Sequence, residues 1–337
     1  MHINFIIFHF LFSLFFLIIC KKLNILVDNK TEAHKKYSSK SRSFLIGGVL
    51  TIIFLNYYYF FIEKNVALCF FISSIFLIGL MSDLKRINSV SIRFLLQFIF
   101  IVCFINYLNV EINSTKIIFV DELLKNQLVN IFFVSFCLLV LINGSNFIDG
   151  INCNAIIYFL IILLTILIGL DNFIINKEIL INMILILILI LFLNAFGFVY
   201  LGDSGSYTIS LFVGLFLINF SQTNNAISPY LMIVLLWYPC FELLFSMIRR
   251  LFKQINTYEP DTFHLHHLIY KKFKISFTNK NNLLLHILTS TSINLYNLII
   301  FVISLNYIYN SEILMLIMAM NIFLYSVLYN YLKKKIA

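Results

Sequence analysis

Charge is the scarcest thing in this chain. Only 12% of its residues are Asp, Glu, Lys or Arg, about half the quarter that a soluble domain carries. That shortage, set against 61% hydrophobic residues in long unbroken runs, excludes an ordinary water-soluble globule. No CxxC pair occurs among Cys20, Cys69, Cys103, Cys137, Cys153 and Cys240, so a thiolate metal site or redox pair has no sequence support. The first apolar run has neither a basic segment before it nor a small-residue cleavage site after it. It is therefore expected to be a retained helix, not a signal peptide. No internal repeat, no pair of interrupted helices of the transporter kind and no soluble domain is visible in the sequence.

What is present is a series of apolar segments. A bilayer core takes about 20 apolar residues per helix. Eleven spans are expected, near 3–20, 44–62, 66–81, 93–109, 127–142, 154–170, 178–199, 206–220, 228–247, 284–306 and 312–331. The fold expected is an all-α polytopic membrane protein, one domain over 1–337. Lys21 and Lys22 follow the first run, which predicts the N-terminus outside and the C-terminus cytoplasmic. With that orientation all but four of the 24 Lys and Arg lie inside, and Lys64, Lys116, Lys125 and Lys177 are the exceptions. The net charge of +9 is thus a membrane-orientation signal, and no nucleic-acid partner is implied. Residues 110–120 alternate weakly and predict a short outer strand pair; the loop 248–283 has room for one or two short helices.

The expected inner loops are 21–43, 82–92, 143–153, 200–205 and 248–283, plus the tail, and the polar chemistry concentrates in the last four of these loops. Ionisable groups near a bilayer are costly and mark function. The first cluster is Ser82-Asp83, with Arg93 opening the next span. The second is Asn143-Gly-Ser-Asn146-Phe-Ile-Asp149-Gly150, whose amides and carboxylate recur at i, i+3, i+6 and so share a helix face. The third is Tyr200-Leu-Gly202-Asp203-Ser-Gly205, where glycines permit close backbone approach to a ligand and a helix N-terminus suits a phosphate. The fourth is Pro260-Asp261-Thr-Phe-His264-Leu-His266-His267. Joint use of its three histidines needs a bent backbone, because His266 leaves the face of the other two on a regular helix. Contact with a pyrophosphate and a zinc site are both open for these imidazoles. Taken together the clusters offer carboxylates for Mg²⁺, cations for phosphates and amides for a base or sugar. That is equipment for phosphoryl transfer, in which positioning and charge neutralisation do most of the work.

The order NxxNxxDG, GDxGS, HxHH, with Gly47-Gly48 upstream and Trp237-Tyr-Pro239-Cys-Phe-Glu242 between the last two, resembles the polyprenyl-phosphate N-acetylhexosamine-1-phosphate transferases, glycosyltransferase family 4. The likeness is to the O-antigen and enterobacterial-common-antigen initiating type, more distantly to the phospho-MurNAc-pentapeptide transferase. It runs over nearly the whole chain, from Asp28 and His34 to the histidines. The resemblance implies transfer of a HexNAc-1-phosphate from a UDP-N-acetylhexosamine to undecaprenyl phosphate, with release of UMP. It implies Mg²⁺ (Mn²⁺ as the alternative ion), a bacterial inner-membrane location with a cytoplasmic site, and a homodimer. By motif position Asp203 and Asn146 would hold the metal. Arg93, Asn143, Asn146 and Tyr200 would bind substrate, with Arg93 on the lipid phosphate and Tyr200 on uracil. Asp83, Asp149, His264, His266 and His267 would be the catalytic group. Two positions depart from the pattern: Ser82 replaces the first of two adjacent aspartates, and Glu242 stands where relatives commonly carry Asp. Because a neutral serine is no base at ordinary pH, the Ser82 departure favours a reaction without a protein base on the lipid phosphate. The rival readings are a non-catalytic polytopic protein and a degenerate member that binds UDP-sugar without turnover.

Overall fold

The computed structural model describes residues 2–27, 43–252, 263–278 and 280–336. In chain order the helices are α1 (His2–Leu23), α2 (Gly47–Ile62, its last turn a π-helix), α3 (Val66–Asp83), α4 (Val90–Leu108), α5 (Ile118–Leu124), α6 (Gln127–Ile148) and α7 (Asn154–Gly169). They continue as α8 (Lys177–Ala195), α9 (Gly202–Thr223), α10 (Pro229–Phe252), α11 (Leu265–Ser276), α12 (Asn282–Leu305) and α13 (Ser311–Ile336). Each expected apolar span coincides with one of them. Among the described residues, eight helices are long and apolar enough to cross a membrane, while α2 and α7 are apolar but shorter. The protein is a multi-pass membrane protein.

Helix ends differ from the expected loops. α6 continues to Ile148, so Asn143 and Asn146 lie on a helix and only 149–153 is a connection. α9 starts at Gly202, inside the expected loop 200–205. Part of 248–283 is helical as α10 and α11, and Asp261, like Asp28 and His34, lies outside the described residues. The strand pair expected over 110–120 is not formed: among the described residues no strand is present, and α5 begins at Ile118, within the segment's last three residues. The physical reason is local. Asn130 on α6 receives the N–H of Ile112 at 2.9 Å and donates to its carbonyl at 2.9 Å, so a side-chain amide takes the place of a strand partner. Asp121 then accepts from the Thr115 N–H and hydroxyl and from Ser114, which turns the chain into α5.

The bundle closes around α9. α3 packs on its first turn at Gly79, where a Cβ would lie 2.5 Å from Ser204 Cα. Small residues at such crossings let backbones touch where lipid gives no hydrophobic drive for helix association. α10 carries Pro239 mid-helix, whose missing N–H frees the carbonyl of Leu235. The buried Tyr158 hydroxyl on α7 donates to that carbonyl at 2.7 Å, so the interruption is satisfied by a neighbouring helix.

Candidate active site

The polar groups meet at one end of the bundle, where α3 and α6 end and α4 and α9 begin. Asp83, the last residue of α3, reaches across to the start of α9. Its carboxylate accepts the N–H of Asp203 at 2.9 Å, the N–H of Ser204 at 3.0 Å and the Ser204 hydroxyl at 2.7 Å. These are orphan donors of a helix N-terminus, and a carboxylate there is favoured by the helix dipole. Gly202 makes the approach feasible: its φ is +73°, and a Cβ would lie 2.8 Å from an Asp83 oxygen.

This cross-helix cap aims Asp203. Its Oδ2 meets Arg93 Nη1 at 2.6 Å, and the pair is mostly but not wholly buried. Ser82 stands between them, donating to Asp203 Oδ2 and accepting from Arg93. The residue that departs from the expected aspartate thus joins the cation to the carboxylate.

A cavity opens beside this cluster, lined by Asp83, Asn146, Asp149, Tyr200 and Asp203. Tyr200 is held by the chain before α2: its N–H donates to Phe44 O at 2.8 Å and its carbonyl accepts from the N–H of Gly47 at 3.1 Å. Among the described residues its buried hydroxyl has no hydrogen-bond partner. Asn143 sits one turn deeper, outside the cavity lining, donating to Gln97 at 2.8 Å and to Leu139 O at 2.9 Å.

Three polar lining residues were not foreseen. Asn152, Asn194 and His286 form an amide framework under the 149–153 turn. Asn152 donates to Asn194 O at 2.8 Å, Asn194 Oδ1 accepts from Cys153 N–H at 2.6 Å, and Ser290 donates to Asn152 O at 2.6 Å. His286 Nδ1 lies 2.9 Å from Asn152 Oδ1. Cys153 is in the left-handed region at φ 71°; burial pushes its thiol up to about 12, and nearby Asp149 adds to this, so it stays neutral. Asn152 stands two residues after the second motif, but nothing in its spacing marks Asn194 or His286, which come from distant helices.

The histidines join from α11. His264 is extended (φ −74°, ψ 152°) and Leu265 begins the helix. This is the backbone bend that joint use of the three rings requires. Ring centroids are 5.6 Å apart for His264 and His266, and 4.2 Å for His266 and His267. Both latter rings abut Gly150, which lines the cavity: a Cβ there would overlap them. His264 meets Phe147 edge-on at 5.1 Å. The described residues of all four clusters are thereby brought to one place.

A sequence model described as glycosyl transferase family 4 matches residues 65–221, the stretch that carries Asp83, Arg93, Asn143, Asn146, Asp149, Tyr200 and Asp203. Over that stretch, just under half of the chain, the protein is similar to glycosyl transferase family 4. The match indicates a membrane sugar-phosphate transferase acting on a polyprenyl phosphate. The family match ends with α9, so the histidine cluster, α10 and α13 lie beyond it. No curated protein matches the chain.

Oxygen donors dominate the cavity: Asp203, Asp83, Asp149 and Asn146. Among the described residues no three Asp, Glu, His or Cys side chains form a ready-made metal site. That donor set fits Mg²⁺ or Mn²⁺ better than zinc, because a hard cation of this kind is typically held by one or two carboxylates with water and substrate phosphate.

Proposed function

We propose that this chain transfers a HexNAc-1-phosphate from a UDP-N-acetylhexosamine to undecaprenyl phosphate. The reaction would release UMP at the cytoplasmic face of a bacterial inner membrane and open the synthesis of an envelope glycan such as O-antigen. The observation that carries this reading is the convergence of Asp83, Asn146, Asp149, Tyr200 and Asp203 on one cavity, with Arg93 at its edge on Asp203.

In the reaction an oxygen of the lipid phosphate attacks the sugar-bearing phosphorus of the donor. The bond to the uridine-side phosphate breaks, and UMP leaves with the electron pair. Arg93 meets the lipid phosphate at the helix ends and exchanges its contact with Asp203 for one with the incoming phosphate. Asp203 and Asn146 would hold Mg²⁺ or Mn²⁺, which when bound neutralises charge on the donor diphosphate. Tyr200 offers its ring to the uracil, and Asp149 and the amides beside it take the nucleotide's polar edges. His264, His266 and His267 would contact the diphosphate from beside Gly150, against which the His266 and His267 rings lie. No side chain is assigned as base: both oxygens of Asp83 are engaged by α9, and a phosphate monoester with a second pKa of about 6 is already largely dianionic.

The test is UMP release by the detergent-purified protein with undecaprenyl phosphate and a panel of UDP-N-acetylhexosamines. We expect release that needs both lipid and divalent cation and falls about 10²–10³-fold in Asp203→Asn. Bound UDP-sugar with no release from any donor would leave a binding protein in place of the enzyme.

A further inference from the structure

One buried acid has no place in that scheme. Glu242 on α10 is fully buried, a costly position for a carboxylate unless its oxygens are hydrogen-bonded. Here each oxygen has its own partner. Oε1 lies 2.9 Å from His264 Nδ1, and Oε2 accepts from the Tyr325 hydroxyl at 2.6 Å. Ser246, one turn along α10, is 3.2 Å from the same His264 nitrogen.

Tyr325 belongs to α13, a helix that is largely exposed along its length apart from a stripe with Asn321, Tyr325, Tyr329 and Leu332. The stripe makes a second contact toward the same histidine. Arg249 Nη1 donates to the Tyr329 hydroxyl at 2.8 Å and to the carbonyl of Phe263 at 3.0 Å. Phe263 is the residue before His264, so α13 supports both the carboxylate on the imidazole and the backbone that leads into it.

We propose that Glu242, locked by Tyr325, is the positioning residue that fixes the ring orientation and tautomer of His264 for phosphate transfer. A carboxylate only accepts, so His264 Nδ1 must carry hydrogen toward it. Nε2 is then the nitrogen that meets the donor diphosphate. The carboxylate also stabilises the imidazolium, the form in which Nε2 carries a hydrogen that it can donate to a phosphate oxygen, as in other carboxylate–imidazole pairs. This inference rests on the reading above that His264 meets the diphosphate.

The test compares UMP release by Glu242→Gln, Glu242→Asp, Tyr325→Phe and His264→Ala proteins, alone and combined. Gln offers an amide N–H to Nδ1 and so favours the wrong tautomer. Glu242→Gln should lower kcat about 10²-fold or more, with KM for the UDP-sugar nearly unchanged. Glu242→Asp should recover most of the loss. Tyr325→Phe should give a smaller loss of the same kind, and carries the test if Glu242→Gln does not fold. In a His264→Ala background the Glu242 change should cost nothing more. Equal losses in both backgrounds, or an unchanged kcat, would overturn the proposal. Nitrogen-15 spectra of His264 provide a readout independent of turnover. Nδ1 should be the protonated nitrogen in the wild type and lose that preference in Glu242→Gln. If the wild type releases no UMP yet shows this pattern, the transferase reading fails while the positioning stands; an unchanged tautomer in Glu242→Gln sinks the positioning itself.

Discussion

Both carboxylate oxygens of Asp83 face donors on α9, and an amide cannot match that set. Asn keeps one acceptor and turns an N–H₂ toward another donor. Asp83→Asn should therefore abolish transfer by displacing Asp203, and should also lower unfolding stability by about 1–3 kcal/mol. Full activity in that protein would refute the cap. Ser82 predicts the opposite behaviour. It only bridges Arg93 and Asp203, and Arg93 can neutralise a second carboxylate at that point, so Ser82→Asp should retain turnover. Asp203→Asn should lose about 10²–10³-fold in kcat, as measured by UMP release at saturating lipid.

Helix packing around α9 has its own sensitivity. Ala at 79 would press its methyl on the backbone of Ser204, and backbone cannot rotate away. Overpacking of this kind costs about 1–3 kcal/mol, so Gly79→Ala should unfold at a lower temperature in detergent than the wild type. At this scale much was legible in advance. Apolar runs located the helices, and motif order located the residues around the cavity. What the sequence did not reveal was where helices end, because Asn143 and Asn146 read equally well as loop or helix when amides are satisfied either way. Nor did it reveal Asn194 and His286: a lone polar residue on an apolar helix shows no spacing, and its partner, Asn152, lies 42 and 134 residues away. The strand pair over 110–120 failed for a similar reason, since Asn130 stands outside the alternating segment that it satisfies.

Across the whole molecule, alternate crossings place Ser114 and the Lys333–Lys335 run at opposite ends. With the proposed orientation, a cysteine at Ser114 in a protein cleared of its native cysteines should react with a membrane-impermeant maleimide on intact cells. A cysteine at Lys334 should react only after permeabilisation; the reverse pattern would invert the topology and move the site outside.

The cap made by Asp83 on α9 also sets a clock. Its partners lie 120 residues downstream, which takes about 6–24 s to synthesise at roughly 5–20 residues per second. During that interval α3 has been made while its terminal carboxylate still lacks the backbone it will hold. Asp203 cannot be aimed before α9 arrives, and His264 follows later still. On the proposed reading, a growing chain stays silent toward the lipid around it until His264 has been made.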